Sequence, residues 1–159
     1  VLMNDNRYIL VIADESPEME IALEYACARS KKTSRKIIIA TFVEPLDVLT
    51  TQGVTEIMKN EAREEAEKIL QKAASYVKEK TGEMPALAVR EGETITELKK
   101  LIDEEKNINV LVLAANSDPK SKESNVIINS LVSQEITNLR VPVMIVPGNF
   151  SKDHIALIT

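Results

Sequence analysis

The first candidates for chemistry are two adjacent acids, Asp14 and Glu15, which follow directly after the apolar run YILVIA of residues 8–13. Paired carboxylates at the end of a strand are typical of domains that bind magnesium and accept a phosphate. Such a domain also needs an aspartate after its third strand and a lysine after its fifth. Here the third apolar run continues into REG at 90–92 and the fifth ends at Pro147. Neighbouring strand residues also tend to point in opposite directions, so the sequence disfavours this chemistry.

The second candidate is an anion site in the polar segment NSDPKSKES of residues 116–124, which joins an apolar run to a helical pattern. Strand, loop and helix in this order often hold a phosphate, because the helix N-terminus presents free N–H groups. Glycine normally lets the backbone approach the anion, but the four glycines of this chain lie elsewhere. Pro119 lacks an N–H donor, and Asp118 adds negative charge. Lys120 and Lys122 compensate only in part, since exposed lysines are mobile anchors.

Nucleophilic and metal chemistry have no candidates in the sequence. Cys27 is the single cysteine, which excludes an internal disulfide and a multi-cysteine metal site. It lies in a helical pattern among apolar residues, and we expect it to fill space in the core. His154 is the single histidine and belongs to the C-terminal tail, where no carboxylate and nucleophile form a triad with it. We predict no catalytic residue, no metal ligand and no enzyme.

Length and composition indicate one soluble domain over residues 1–159. The chain has 159 residues, of which 44% are hydrophobic and 28% charged. A chain of this length and composition can bury a hydrophobic core. Its net charge of −5 argues against nucleic acid as a partner, and the basic cluster of residues 31–36 is expected to close a helix. No apolar run reaches the ~20 residues that span a bilayer, and no signal-peptide pattern is present. Together with the lone cysteine, this predicts a cytoplasmic protein without membrane insertion.

Five apolar runs without alternation predict strands that are buried on both faces, and helical patterns separate them. Such strands form a parallel sheet with helices on either side. Ligands on these sheets lie outside the carboxyl ends of the strands, so the loops after the first, second and fourth strands are the expected places for a site. The strands are predicted at residues 8–13, 36–43, 86–89, 110–115 and 143–146, and the helices at 17–30, 56–80, 94–102 and 125–138.

Local signals predict the helix ends and inward faces. Ser16, followed by Pro17, predicts the N-cap of the first helix, and Thr94 with Glu97 predicts a capping box for the third. A long loop, 45–55, joins the second strand to the second helix and is expected to lie over the carboxyl edge of the sheet. Helical spacing predicts inward side chains at Ile57, Met58, Ala62, Ala66, Ile69, Leu70, Ala73 and Val77 of the second helix and at Ile128, Leu131, Val132, Ile136 and Leu139 of the fourth.

The span 7–147 resembles the universal stress protein family. The likeness is carried by RYILVIADESPEMEIALEYA near the start, VREGETITELKKLIDEEKNINVLVLAA in the middle and NSLVSQEITNLRVPVMIVP near the end. It implies a Rossmann-like α/β fold whose five-stranded parallel sheet has the order 3-2-1-4-5, with helices on both faces. The switch point then lies between the first and fourth strands. Residues 148–159 are a C-terminal tail beyond this core.

One branch of that family binds ATP through a motif after the fourth strand: Gly, two residues, Gly, nine residues, Gly, then Ser or Thr. Alignment from the terminal VPVMIVP places the glycines at Ala114, Ser117 and Asn129, and eleven residues separate the last two. Only the hydroxyl of the motif remains, as Ser130. The resemblance therefore implies a vestigial site, as in the branch of the family that does not bind ATP.

The other nucleotide contacts implied by the resemblance are Ala13 and Asp14 after the first strand and Val43 at the end of the second. We expect a dimeric stress-response or signalling module with no catalysis, no cofactor and a protein partner that the sequence does not identify. The alternative is a sensor that binds ATP, AMP, another adenine nucleotide or a small anion in the cleft between the first and fourth strands. Backbone N–H groups at a helix start can still hold such an anion.

The fifth strand is the predicted dimer interface. The strand order puts it at an edge of the sheet, and it carries no charge that would prevent pairing with another edge. Members of the family commonly dimerise through this strand. The rival expectation is a monomer in which the tail, 148–159, covers the edge, and a swapped dimer is intermediate between the two. The predicted interface residues are Val143, Met144, Ile145 and Val146.

The chain starts at Val1, and its first methionine is Met3. We interpret this start either as an added remnant or as a domain cut from a longer protein. The second interpretation follows from the resemblance, because domains of this family also occur fused to transporters and kinases.

Overall fold

The computed structural model describes residues 6–45, 52–118 and 125–159. Strands and helices alternate along the chain, as the apolar runs predict. The elements are β1 (Tyr8–Ile12), α1 (Met19–Thr33), β2 (Lys36–Val43), α2 (Gln52–Thr81), β3 (Ala86–Glu91), α3 (Thr94–Glu104), β4 (Ile108–Ala115), α4 (Val126–Ser130), a π-helical turn (Leu131–Glu135), a 3₁₀ turn (Ile136–Asn138), β5 (Val143–Pro147) and α5 (Lys152–Ile158).

The sheet has the order β3-β2-β1-β4-β5, and all four neighbouring pairs are parallel. The predicted order and switch point are thereby confirmed. Successive residues of the central strand β1 face opposite layers of helices, because side chains alternate along a strand. Ile9 and Val11 pack against α1 and α2, whereas Leu10 and Ile12 pack against α3 and the segment after α4. Both faces of β1 are buried, which explains its continuous apolar sequence.

The predicted N-caps of α1 and α3 are wrong by one or two residues. Ser16 does not cap α1, because the helix begins only at Met19 and Glu18 stands directly before it; the Ser16 N–H and hydroxyl donate to the carboxylate of Asp14. Thr94 is the first helical residue of α3. The side chain of Glu93 accepts from the N–H groups of Ile95 and Thr96 and caps the helix instead.

The last predicted helix is broken. It starts after Asn125, whose φ of 66° is left-handed, and changes to a π-helical turn at Leu131. Leu131 is buried as predicted, but Val132 and Ile136 are 50% and 42% exposed. A π turn carries more residues than an α turn, so a stripe counted at 3.6 residues per turn no longer faces the core.

Helix α2 begins at Gln52, earlier than predicted, and residues 46–51 of the predicted long loop lie outside the described residues. Its 30 residues span about 45 Å, whereas the eight residues of β2 span about 26 Å. Helix α2 therefore overhangs the sheet, and Ile57 near its start is 58% exposed rather than buried.

The C-terminal tail forms α5 and packs against α1. Ile155 is buried, Phe150 contacts the core, and Lys152 Nζ lies 3.2 Å from Glu20 Oε1 on α1. The tail does not lie over β5, where Met144 and Ile145 remain 43% and 37% exposed. Among the helices that the structure describes, none has the length and apolar character needed to cross a membrane.

Candidate functional site

A cleft of about 210 Å³ lies between β1 and β4 at the carboxyl end of the sheet. Strand order reverses there, because the chain leaves β1 towards β2 on one side and β4 lies on the other. Crevices at such switch points are the usual ligand sites of open α/β sheets. The residues that line the cleft are Ile12, Asp14, Ser16, Glu18, Met19, Ala22, Val112, Leu113, Ala114, Asn125, Val126, Ile127 and Ile128.

The β1 side of the cleft is a tight turn that presents Asp14. The Asp14 carboxylate accepts a hydrogen bond from the Ser16 N–H at 2.9 Å and another from the Ser16 hydroxyl. Beneath it, Ala13 is buried, and its carbonyl accepts from the Thr41 hydroxyl at 3.0 Å. These bonds hold the carboxylate of Asp14, which is exposed, at the mouth of the cleft.

The β4 side is closed by two asparagines that the sequence analysis did not single out. The backbone N–H of Asn116 donates to Oδ1 of Asn125 at 2.7 Å, and Nδ2 of Asn125 donates back to the Asn116 carbonyl at 3.2 Å. One side-chain amide therefore satisfies both backbone groups just after the end of β4. The preference of asparagine for turns and left-handed backbone is the signal that could have identified Asn125.

Glu18 is a third residue of the cleft region, after the two asparagines, that the sequence did not point to. Its half-buried side chain lines the cleft, and Oε2 lies 3.5 Å from Nδ2 of Asn116. The described lining thus contains two acids, Asp14 and Glu18, and no lysine or arginine.

The predicted nucleotide residues are only partly brought together. Asp14 and Ala114 line the cleft, whereas Val43 lies one strand away, paired with Glu91 of β3. Ser117 and Asn129 are exposed and absent from the lining.

Ser130 lines a different groove of about 470 Å³ between α3 and the π-helical turn. Lys99 Nζ and Glu135 Oε2 form an ion pair at 2.7 Å within this groove. The hydroxyl that remains from the motif thus lies outside the cleft that holds Asp14. Residues 119–124, including the two lysines of the polar segment, lie outside the described residues.

A second acidic pair lies beside the cleft. A hydrogen bond that protonated Glu15 donates to the neighbouring Glu65 carboxylate, followed by repulsion from the charge of Glu65, raises the pKa of Glu15. Both residues line a wider groove of about 560 Å³ between the β1–α1 loop and α2. Asp14 lines both this groove and the cleft, whereas Glu15 lines the groove and is absent from the lining of the cleft.

The other titratable candidates lie apart from the cleft. Cys27 is buried between α1 and the sheet, and burial, with the charge of Glu24, raises the pKa of its thiol to about 12. A thiol with this pKa is protonated at neutral pH and is a poor nucleophile. His154 is exposed in α5, where its ring contacts Phe150 edge-on at 4.6 Å. Within the described ranges, no three His, Cys, Asp or Glu side chains are grouped to hold a metal ion.

Residues 6–147 match the family model described as "Universal stress protein family". The chain belongs to the universal stress protein family. None of the curated proteins matches the sequence closely enough to count as a relative. The resemblance stated from the sequence is therefore confirmed over nearly the whole chain.

Solved universal stress proteins share this fold at low sequence identity. UspA from Lactobacillus plantarum is 13% identical with a TM-score of 0.73, and the match covers 88% of this chain and 97% of that one. A universal stress protein in complex with cAMP is 19% identical with a TM-score of 0.62, covering 91% and 99%. The universal stress protein from Archaeoglobus fulgidus in complex with dAMP is 14% identical with a TM-score of 0.58, covering 90% and 98%. These likenesses show the α/β fold of this universal stress protein.

Proposed function

We propose that this universal stress protein is a non-catalytic, dimeric signalling module of the cytoplasm that does not bind ATP in the usual way. The observation that carries the proposal is the bond between the Asn116 N–H and the Asn125 side chain at 2.7 Å. A phosphate-binding turn needs free backbone N–H groups that point at the anion. Here the first such group after β4 is already used by a neighbouring side chain.

The charge of the cleft supports the same proposal. Asp14 and Glu18 both line it, and the described lining includes no lysine or arginine. A triphosphate carries several negative charges and would meet these carboxylates in a volume of about 210 Å³, below the roughly 300–1,000 Å³ of typical ligand pockets.

The exposed edge of the sheet supports the dimer. Met144 and Ile145 of β5 are apolar and exposed, and no described element pairs with the outer side of this strand. Unprotected apolar edges are templates for pairing with another chain. Val146, by contrast, is only 3% exposed and belongs to the core of its own chain. The side-chain contacts of the proposed interface therefore come from Met144 and Ile145, with half-buried Val143 beside them.

The test is binding of nucleotides to the full chain. Thermal unfolding with ATP, ADP, AMP or cAMP reports a ligand, because binding to the folded state raises the unfolding temperature. We expect no shift with ATP at millimolar concentration. A micromolar Kd for ATP by calorimetry contradicts the proposal.

The second candidate function is a sensor of an adenine nucleotide with fewer phosphates. Two structural neighbours are described as complexes with cAMP and dAMP, and Asp14 lies at the mouth of the corresponding cleft. The exposed carboxylate of Asp14 can accept hydrogen bonds from ribose hydroxyls. A thermal shift with AMP or cAMP that Asp14→Asn abolishes would favour this candidate over the first.

A further inference from the structure

A concentrated positive charge lies where α1 ends and β2 begins. Five cations fall within the eight residues 29–36, and no acid stands among them. The rest of the chain has 15 cations against 25 acids, so the protein is acidic apart from this one region. We call it the basic end, and its residues are Arg29, Lys31, Lys32, Arg35 and Lys36.

The backbone of the basic end is fixed by local contacts. The Ser30 hydroxyl donates to the Arg35 carbonyl at 2.5 Å. Ser34 has a left-handed φ of 60°, which turns the chain from the helix towards β2. Lys36 is the first residue of β2 and lies opposite Tyr8 of β1. The five cations are therefore carried by an ordered turn between two regular elements.

The cations of the basic end lack internal partners. In the part of the chain that the structure describes, no carboxylate forms an ion pair with any of the five side chains. Elsewhere Arg63, Arg90 and Lys99 are each paired with a glutamate. Nε of half-buried Arg35 is enclosed and has no hydrogen-bond partner among the described residues. The charge of the basic end is therefore available to an anion outside the chain.

The helix dipole accounts for only part of this charge. Lys31 and Lys32 lie in the last turn of α1, where cations are favoured. The effect is confined to that turn, whereas Arg29 precedes it and Arg35 and Lys36 follow the helix. Three of the five cations therefore need another explanation.

The basic end lies at the amino edge of the sheet, opposite the cleft. Lys36 begins β2, and the eight residues of this strand span about 26 Å. Charges in physiological salt are largely screened beyond about 8 Å. Asp14 and Glu18, which line the cleft at the carboxyl edge, therefore do not cancel the charge of the basic end.

Exposed apolar surface adjoins the basic end at Met84. This side chain is 56% exposed and, together with Lys36, lines a groove of about 300 Å³. Glu83 lines the same groove and offsets one of the five charges. Methionine and unpaired cations side by side match a protein surface that is acidic and partly apolar.

The limited extent of the basic end indicates the kind of partner. A nucleic acid duplex carries one negative charge per roughly 1.7 Å of its length, and an anionic membrane extends further still. Both would reach past the basic end to the acid-rich remainder of the chain. A short acidic segment of a protein meets only the five cations.

We propose that the basic end docks an acidic segment of a partner protein. The inference rests on the proposed function, because a signalling module acts through a partner, and it gives the chemistry of that partner. Since the cleft lies at the opposite edge of the sheet, it stays open when the basic end is occupied.

Fluorescence anisotropy on the full chain tests the proposal with a labelled poly-glutamate peptide at low salt. Wild type is expected to bind this peptide and not poly-glutamine, with an affinity that falls as salt rises. The triple variant Lys31→Gln, Lys32→Gln, Lys36→Gln should bind about tenfold more weakly. Lys36→Gln alone, expected to weaken binding about twofold, serves if the triple variant unfolds.

The matched control removes three exposed lysines of α2 that have no ion pair within the described ranges: Lys59→Gln, Lys68→Gln, Lys72→Gln. It changes the net charge by the same amount and should bind within about twofold of wild type. Arginine at positions 31, 32 and 36 keeps the charge and should also preserve binding.

The inference is overturned when wild type does not bind poly-glutamate, or when both glutamine triples lose affinity equally. It is also overturned when duplex DNA or phosphatidylserine vesicles bind the same three lysines as tightly as the peptide does, or more tightly. Tight ATP binding or a monomeric wild type contradicts the proposed function instead, and both are measured without the peptide.

Discussion

The side chain of Asn125 holds both backbone groups of Asn116, accepting from the N–H at 2.7 Å and donating to the carbonyl at 3.2 Å. Nine positions separate the two residues, and the bonds bring the end of β4 to the start of α4. The φ of 66° at Asn125 makes this approach possible, because asparagine tolerates the left-handed region better than most residues. This contact closes the turn next to the cleft.

Two substitutions at Asn125 separate the hydrogen bonds from the backbone conformation. Asn125→Gly loses the amide but accepts the positive φ, and we expect a loss of about 1 kcal/mol in the free energy of unfolding. Asn125→Ala also strains the backbone and is expected to lose about 1 kcal/mol more. Urea denaturation measures both values. Wild-type stability in both variants would show that the contact contributes nothing.

The cap of α3 gives a second prediction. Glu93 accepts from two N–H groups of the first turn, and a hydrogen bond from the Thr96 hydroxyl, ahead of the backbone bonds, lowers its pKa. Glu93→Ala is expected to cost about 1 kcal/mol of unfolding free energy, and Thr94→Ala less than about half of that. Chemical denaturation measures the loss of unfolding free energy in each variant. A larger loss for Thr94→Ala would restore the capping box predicted from the sequence.

The buried thiol of Cys27 predicts a loss of stability at alkaline pH. Its pKa in the folded state is about 12, against 9.0 for an ordinary thiol. Between these values the unfolded state has released a proton that the folded state retains, so stability falls as pH rises, by up to about 1.4 kcal/mol per pH unit. Below about pH 9 this contribution is fully present.

The variant Cys27→Ala has no thiol at this position, so comparison with wild type tests the predicted pH dependence of stability. We expect its unfolding free energy to decline less than that of wild type between about pH 9 and about pH 10.5. Burial and the neighbouring Glu24 also raise the pKa of Tyr76, but both proteins contain this tyrosine and its effect cancels in the comparison. Parallel pH profiles for the two proteins would rule out a buried, protonated thiol.

The apolar edge strand predicts a dimer. Light scattering on wild type is expected to report the mass of two chains, and the double variant Met144→Lys, Ile145→Lys the mass of one, since edge lysines prevent strand pairing. Ile57→Lys combined with Leu157→Lys is the control, because it changes two exposed apolar residues outside β5 and should stay dimeric. A monomeric wild type at micromolar concentration would exclude this interface.

The sequence by itself determined the sheet. Runs such as residues 36–43 have no polar face, so they are stable only when helices cover both sides. The positions of β2 and of the other strands were therefore predictable to within two residues. The family resemblance then supplied the strand order and the switch point, and with them the location of the cleft.

Tertiary structure alone decided the details of the site. Ser16 has the residue type of an N-cap, yet α1 starts only at Met19, and the Ser16 N–H and hydroxyl donate to Asp14 instead. Glu18 looks like an ordinary solvated acid just before the first residue of α1, and only the approach of Gly148 and Asn116 brings it into the cleft region. The contacts of Glu18 join residues about a hundred positions apart, and no local pattern encodes contacts of that range.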